Sequence, residues 1–298
     1  MTTINLSEFK ALVSLLDDDD NEVFTHVSNK LVSFGKEGLS LLESAWEAEE
    51  NIVIQEKLES LIKKIQYDNI KDRLKQWLES EEQDLLEAAL IINTIEYPEV
   101  DELAIIDKIN SIAKSVWIEL NAALSPLEEL QVMNQVFYQL HGFFSNYDKN
   151  AIKPIPDLGN LNKILETKKG NSISLGILFL IIAQKNDLPI YGVNLPYHFV
   201  LCYARKHLSK EILEENIDEK QVMFYINPIN KGIAFSRMEI TNYLKQIKLT
   251  TKKNYYSPCN NKAIIKALIF NQMAYYDKKS AKAEFLKELF YMLELPIA

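Results

Sequence analysis

Apolar residues recur at helical spacing through the first half of the chain. Leu12, Leu15 and Leu16 are followed by Val23, Val27, Leu31 and Val32, then by Leu41, Leu42 and Trp46, the recurrence that defines an amphipathic helix face. Asp17 to Asp20, with Asn21, place negative charge ahead of a helix starting near Glu22, where the helix dipole favours it. Gly35 and Gly38 bracket the next predicted break. Leu85, Leu86, Ala89, Leu90 and Ile92 mark a further helix, and Ile105, Ile109, Ile112 and Val116 another, with Pro98 in the loop between them. Ser125–Pro126, followed by Glu128 and Glu129, predicts a helix start with serine as cap and proline in the first turn.

The pattern changes at Lys153. Pro154, Pro156 and Gly159 precede a helical stretch from Leu161 to Lys168, and the most apolar run of the chain follows from Ile173 to Ala183. That run is about half the ~20 residues a membrane-spanning helix needs, so it predicts a buried helix. Strand-like sets follow at Leu188 to Asn194, Tyr197 to Tyr203 and Gln221 to Ile226, rich in β-branched and aromatic residues and bounded by Pro189, Pro196 and Pro228. Residues 206 to 220 read as a charged, exposed excursion, and Asn260 to Leu295 returns to helix period.

Composition sharpens this outline. The 298 residues give a prior of two domains. Of nine prolines and eight glycines, five of each lie between residues 154 and 232, which concentrates turns and strands there and leaves the flanks helical. The fold class expected is α+β, predominantly helical. The net charge is −9, a poor match to nucleic acid or an anionic membrane, both of which call for a basic face. Cys202 and Cys259 make no disulfide framework and match no CxxC spacing. The amino terminus lacks a basic region followed by an apolar one, so a cytoplasmic protein is expected. His26, His141 and His207 show no metal-ligand spacing, and no P-loop or GxGxxG occurs. Neither a cofactor nor a metal is expected.

Three features of the α+β segment could carry chemistry. Gly170-Asn171-Ser172-Ile173-Ser174-Leu175 opens the apolar helix with two hydroxyls. Pro196-Tyr197-His198-Phe199 begins a strand with an imidazole, and Tyr225-Ile226-Asn227-Pro228 ends the next with a carboxamide. A nucleophile at a helix N-terminus, a histidine on a neighbouring strand and an orienting Asn beyond it form a triad layout. Each residue also has a purely structural reading. Ser172 is a natural N-cap, Ser174 a small helix residue bonded to a backbone carbonyl, His198 a hydrogen-bonded core histidine and Asn227 a turn residue before proline. Cys202, four strand residues beyond His198, lies about 13 Å from it at ~3.3 Å per residue, too far for an ion pair. It reads as packing, and Cys259 as a loop residue.

Two resemblances extend the reading. Val23, Phe24, Leu31 and Val32 fall on Val53, Ile54, Leu61 and Ile62 at an offset of 30, a period that stacked helix pairs produce. The stretch LLDDDDNEVFTHVSNKLVSFGKEGLSLLE resembles one HEAT-type repeat. LNKILETKKGNSISLGILFLIIAQKNDLPIYGVNLPYHFVLCYAR resembles the core of the bacterial SirB-type proteins of the transglutaminase-like superfamily, and EEQDLLEAALIINTIEYPEVD and LSPLEELQVMNQVFYQLHGF resemble that family's helical part. This resemblance covers residues 80 to 240.

The resemblance implies a papain-like core with a small antiparallel sheet and a Cys, His and Asp triad. Counting back from the helix end at Asp187 by the family's spacing reaches Ser172. The SirB-type pattern has proline there, and its own serine matches Ser174. No cysteine stands at either place. His198 matches the family histidine, and Asn227 stands where the family has Asp before Pro228. A serine hydroxyl is far less acidic than a thiol, and Asn offers no charge to an imidazolium.

The domains expected are a HEAT-like region at 1–78, a transglutaminase-like domain at 79–250 (helices to 150, then the α+β core) and C-terminal helices at 251–298. The function expected is a non-catalytic protein-interaction or regulatory module with an unidentified protein or peptide partner. The alternative is a serine-dependent amide or ester hydrolase or acyltransferase that uses Ser172 or Ser174, His198 and Asn227.

Overall fold

The computed structural model describes residues 4–18, 20–145, 156–205, 207–208 and 219–294. The chain divides into two compact units, 1–76 and 77–298. Most of the expected excursion at 206–220, and Pro154, lie outside the described residues.

The first unit is helical: α1 (Leu6–Ser14), α2 (Asn21–Ser33), α3 (Gly35–Ala48) and the first part of α4 (Ile52–Glu79). Asn5 caps α1 and Asp20 caps α2, each accepting from a first-turn N–H at 2.9 and 2.8 Å. The apolar stripes meet in a core of Phe9, Leu16, Val27, Leu31, Leu42 and Leu58 with their neighbours. The α2–α3 break falls at Phe34–Gly35, where Gly35 takes φ +56°. The break does not extend to Gly38, as the bracketing by the two glycines predicts it should. Gly38 lies within α3, where a Cβ would come 2.7 Å from Cβ of Phe34. α4 runs unbroken through residue 64, where an offset of 30 from Phe34 would put a second turn.

The second unit opens with α5 (Leu85–Asn93), capped by Asp84 and buried along nearly its whole length. α6 (Glu102–Glu119) and α7 (Pro126–Asn134) follow. At the start of α7 the Glu128 carboxylate accepts from both the N–H and the hydroxyl of Ser125, at 2.8 and 2.7 Å. α7 continues as a π-helical turn, Gln135–Leu140, which helical periodicity alone does not distinguish from α. Two short strands, β1 (Phe144–Ser145) and β2 (Lys169–Gly170), pair in parallel on either side of α8 (Leu161–Thr167). Both are too short to leave a mark in the sequence pattern.

The apolar run becomes α9 (Ser172–Lys185), with eleven consecutive buried residues from Ile173 to Ala183. Its four isoleucines each cost at most ~0.7 kcal/mol of helix propensity. Full burial of each large apolar side chain contributes ~1.5–3 kcal/mol, so packing decides the conformation. α9 covers one face of an antiparallel sheet ordered β3 (Ile190–Leu195), β4 (His198–Ala204), β5 (Val222–Asn227) and β6 (Ile233–Phe235). The three expected strands are present, shifted by one or two residues, and β6 is added. Val193, Val200, Cys202 and Tyr225 on the other face pack with Ile240 and Leu244 of α10 (Arg237–Gln246) and with Tyr256. α11 (Asn261–Met273) and α12 (Ala281–Met292) complete the unit. Among the described residues no helix is long and apolar enough to cross a membrane.

The fit of α9 on the sheet rests on two glycines around one ring. A Cβ on Gly176 would come 2.6 Å from Cδ1 of Phe199, and a Cβ on Gly192 2.7 Å from its Cζ. Cys259 is not a free loop residue. Its N–H and thiol both donate to the Gly192 carbonyl, at 2.8 and 3.2 Å, which ties the segment before α11 to β3. Gly176→Ala should therefore lower stability by ~1–3 kcal/mol through overpacking against a ring that is itself enclosed. Urea unfolding measures this, and an unchanged midpoint would show that Phe199 can move.

Candidate functional site

The start of α9 is fixed by a reciprocal pair of bonds. Asn171 Oδ1 accepts from the Ser174 N–H at 3.0 Å, and Ser174 Oγ accepts from the Asn171 N–H at 3.0 Å. Asn171, and not Ser172, is thus the N-cap, the asparagine side chain reaching the third helical N–H as a cap does. Ser174 also donates to the Leu158 carbonyl at 2.5 Å and is 3% exposed. Its hydroxyl is consumed by structure. Ser172, the first helical residue, is partly exposed and stands outside this network.

Ser172 instead faces a cleft of about 280 Å³ at the end of the sheet, which it lines with His198, Asn227, Glu239 and Tyr243 among apolar neighbours. The topology explains the meeting. Phe199 packs on Gly176, so His198, one residue earlier on β4, lies toward the N-terminal end of α9, where Ser172 is one turn before Gly176. β5 runs antiparallel to β4, with Leu201 opposite Ile226, so Asn227 at its end comes back to the same edge. The three residues singled out in sequence therefore share one cleft, and Ser174 does not join them.

Their mutual geometry is less complete. Among the described residues, no hydrogen bond joins Ser172, His198 and Asn227. The Asn227 carboxamide oxygen accepts from the Ile229 N–H at 3.2 Å, and its carbonyl accepts from Asn230 and Gly232, so much of its bonding goes to the turn. Tyr138, from the π-helical turn, donates to the Pro228 carbonyl at 2.9 Å, and Asn134 donates to the Gly232 carbonyl at 2.9 Å. This turn is pinned from behind.

Among the described residues His198 has no hydrogen-bond partner for its ring. It is half-buried, and its ring meets the edge of Tyr243 at 5.2 Å between centroids and 64° between planes. Burial lowers its pKa below the ordinary value, which favours the neutral imidazole. Tyr243 donates to the Pro196 carbonyl at 2.7 Å and so holds the β3–β4 turn that precedes His198. In that turn proline is followed by Tyr197 at φ +64°, an order compatible with a type II turn.

Neither thiol belongs to the cleft. Cys202 is fully enclosed, and burial raises its pKa strongly. Burial pushes the Cys259 thiol up to about 12. Sequence reasoning missed Glu239, the carboxylate among the lining residues, because α10 went unassigned. The signal was present as Ser236-Arg237-Met238-Glu239, a capping box. Glu239 Oε2 accepts from the Ser236 N–H and hydroxyl at 2.7 and 3.0 Å.

A buried capped helix packs on a short antiparallel meander, with His198 at the head of the second strand and Asn227 at the end of the third. A family model described as the Transglutaminase-like superfamily matches residues 104–269, from α6 into α11, and the chain belongs to that superfamily. Within it the similarity is to SirB-type proteins. A UPF0162 protein of Xylella fastidiosa is 29% identical over 118 residues, 39% of this chain and 41% of that protein. The Pasteurella multocida UPF0162 protein is 30% identical over 103 residues, 34% and 37%. Protein SirB1 of Salmonella typhimurium is 30% identical over 95 residues, 32% and 34%. The chain thus spans about two-fifths or less of the length of these relatives. No solved structure matches it.

Two outcomes follow. Ser174→Ala should cost ~1–3 kcal/mol, since it leaves buried partners unpaired, whereas Ser172→Ala should stay within ~0.5 kcal/mol; denaturant unfolding of both variants separates the roles. The His198 ring should titrate below 6.5 when followed by NMR. With its folded pKa depressed, its contribution to stability is complete above the unfolded value and declines as pH falls through and below ~6.5. A midpoint above 6.5 would reveal a carboxylate partner.

Proposed function

We propose that the transglutaminase-like unit is a non-catalytic binding module that holds a segment of a partner protein in the cleft beside His198 without turning it over. The observation that carries this reading is the separation of roles at the site. Ser172 and His198 border one cleft without a bond between them, while the Asn227 carboxamide oxygen is engaged in its own turn. A cysteine at this place would be drawn toward thiolate by the helix N-terminus and an imidazolium. A serine needs a bonded general base and an oriented third group to compete, and His198 meets Tyr243 instead.

The lining supports a ligand of definite character. Leu195, Ile229, Ile233 and Phe235 offer apolar walls, and Glu239 is the ionisable carboxylate among them. An apolar peptide segment bearing one positive side chain matches both, with Asn230 and His198 available to main-chain groups.

The test has two arms. A fluorophosphonate probe should label neither Ser172 nor Ser174, and ester turnover should not depend on His198. Labelling at Ser172 that disappears in His198→Ala would overturn the reading and establish the serine hydrolase instead. Peptides selected from a displayed library on the whole protein should carry Lys or Arg among apolar residues, and should weaken about tenfold on Glu239→Gln, roughly 1.4 kcal/mol. Selection of no peptide, or binding indifferent to Glu239, would count equally against it.

A further inference from the structure

A second polar constellation lies beneath the first turn of α9, away from the cleft. Asn93, Asn160, Asn162, Ser174 and Gln272 are all buried, at 1–7% exposure, and come from α5, α8 with its N-cap, α9 and α11. Two bonds fix how the key amides are turned. Asn93 Oδ1 accepts from the Asn162 N–H at 3.2 Å, so its Nδ2 must face elsewhere. Gln272 Nε2 donates to Asn160 Oδ1 at 3.2 Å, so its Oε1 must likewise face elsewhere. Flipping either amide would break the bond that orients it.

The result is three buried polar atoms without a hydrogen-bond partner among the described residues: Asn93 Nδ2, Gln272 Oε1 and Asn162 Oδ1. Buried polar groups are nearly always paired, with protein or with ordered water. Asn93 and Gln272 line a single small cavity of about 10 Å³, with Gly159, Ser174, Ile164 and Leu268 among its other walls. Its size is at the lower bound of what one water molecule occupies, ~10–15 Å³. Ser174 is already satisfied through Leu158 and Asn171, so the cavity's unmet demand comes from the two amides.

The chemistry of the orphans selects the guest. A metal cation would face the Asn93 N–H, an anion would face the Gln272 carbonyl oxygen, and an apolar guest would leave both unpaired. Water accepts from the one and donates to the other, with a second proton left over. We propose that this cavity is a binding site for one internal water molecule. It is held between Asn93 Nδ2 and Gln272 Oε1 and ties α5 to α11 under the capped start of α9.

A crystal structure of the full chain, at a resolution that shows ordered water, tests this directly. The expected result is one peak within about 2.7–3.2 Å of both Asn93 Nδ2 and Gln272 Oε1. An empty cavity, or a direct bond between the two amides, would overturn the proposal. In solution, the Asn93 side-chain amide protons should show a cross-relaxation peak to a long-lived water, and that peak should vanish in Gln272→Met. Its absence from the unmodified protein, or its persistence in the variant, would refute the site. The unmodified protein decides the matter even if the variant fails to fold.

Discussion

The reciprocal bonds between Asn171 and Ser174 determine where α9 begins, and the candidate site takes its shape from that point. Asn171 is itself anchored, donating from Nδ2 to Asn271 Oδ1 at 3.0 Å and to the Tyr275 hydroxyl at 2.8 Å. Ser174 is anchored in turn to the Leu158 carbonyl. With its first turn held on both sides, α9 has one axial register. That register puts Gly176 over the ring of Phe199, and Phe199 carries His198 to the end of the helix. A slip of one residue would replace a glycine contact with a side chain in a space that admits none. The cap is therefore a positional device, and its stabilising effect is secondary to that.

This arrangement separates two serines that are chemically equivalent in sequence. Ser174 is committed to the cap and enclosed; Ser172 is left at the cleft. The superfamily assignment therefore leaves the chemistry open, because function resides in the site and not in the fold. His198, half-buried beside Tyr243, is shaped more by desolvation than by any charge partner. Its surroundings favour a neutral ring that can accept or donate one hydrogen bond to a ligand.

The polar groups beneath α9 have a related role. A core built only from the apolar faces of α5, α8, α9 and α11 would tolerate sliding, because apolar contact is non-directional. Asn93, Asn160, Asn162 and Gln272 add directional bonds at the place where four elements meet. Such networks specify a unique arrangement only when their members are satisfied. On the far side of the cleft, Tyr138 and Asn134 do the same for the turn after Asn227. The rigid parts of the site are held from behind, by residues that never enter it.

The sequence by itself determined the elements with strong period or strong punctuation. The amphipathic helices, the buried apolar helix at 173–183 and the three long strands were legible, because a stripe or a proline leaves a local signature, and the family was legible from the resemblance of its motif stretches. The sharing of one cleft by Ser172, His198 and Asn227 was legible only through the order helix, strand, strand. Other features were decided by tertiary structure alone. β6 and the β1–β2 pair are too short to carry a period, and the π-helical turn differs from α by a bond shift that composition does not record. Asn171 displaced Ser172 as cap because its amide could also reach α11, a partner 100 residues away. Glu239 became part of the site because α10 packs across the sheet, and the same packing brought Tyr243, not a carboxylate, beside the His198 ring. Contacts of that separation have no local trace, since they exist only once the apolar faces have chosen their partners.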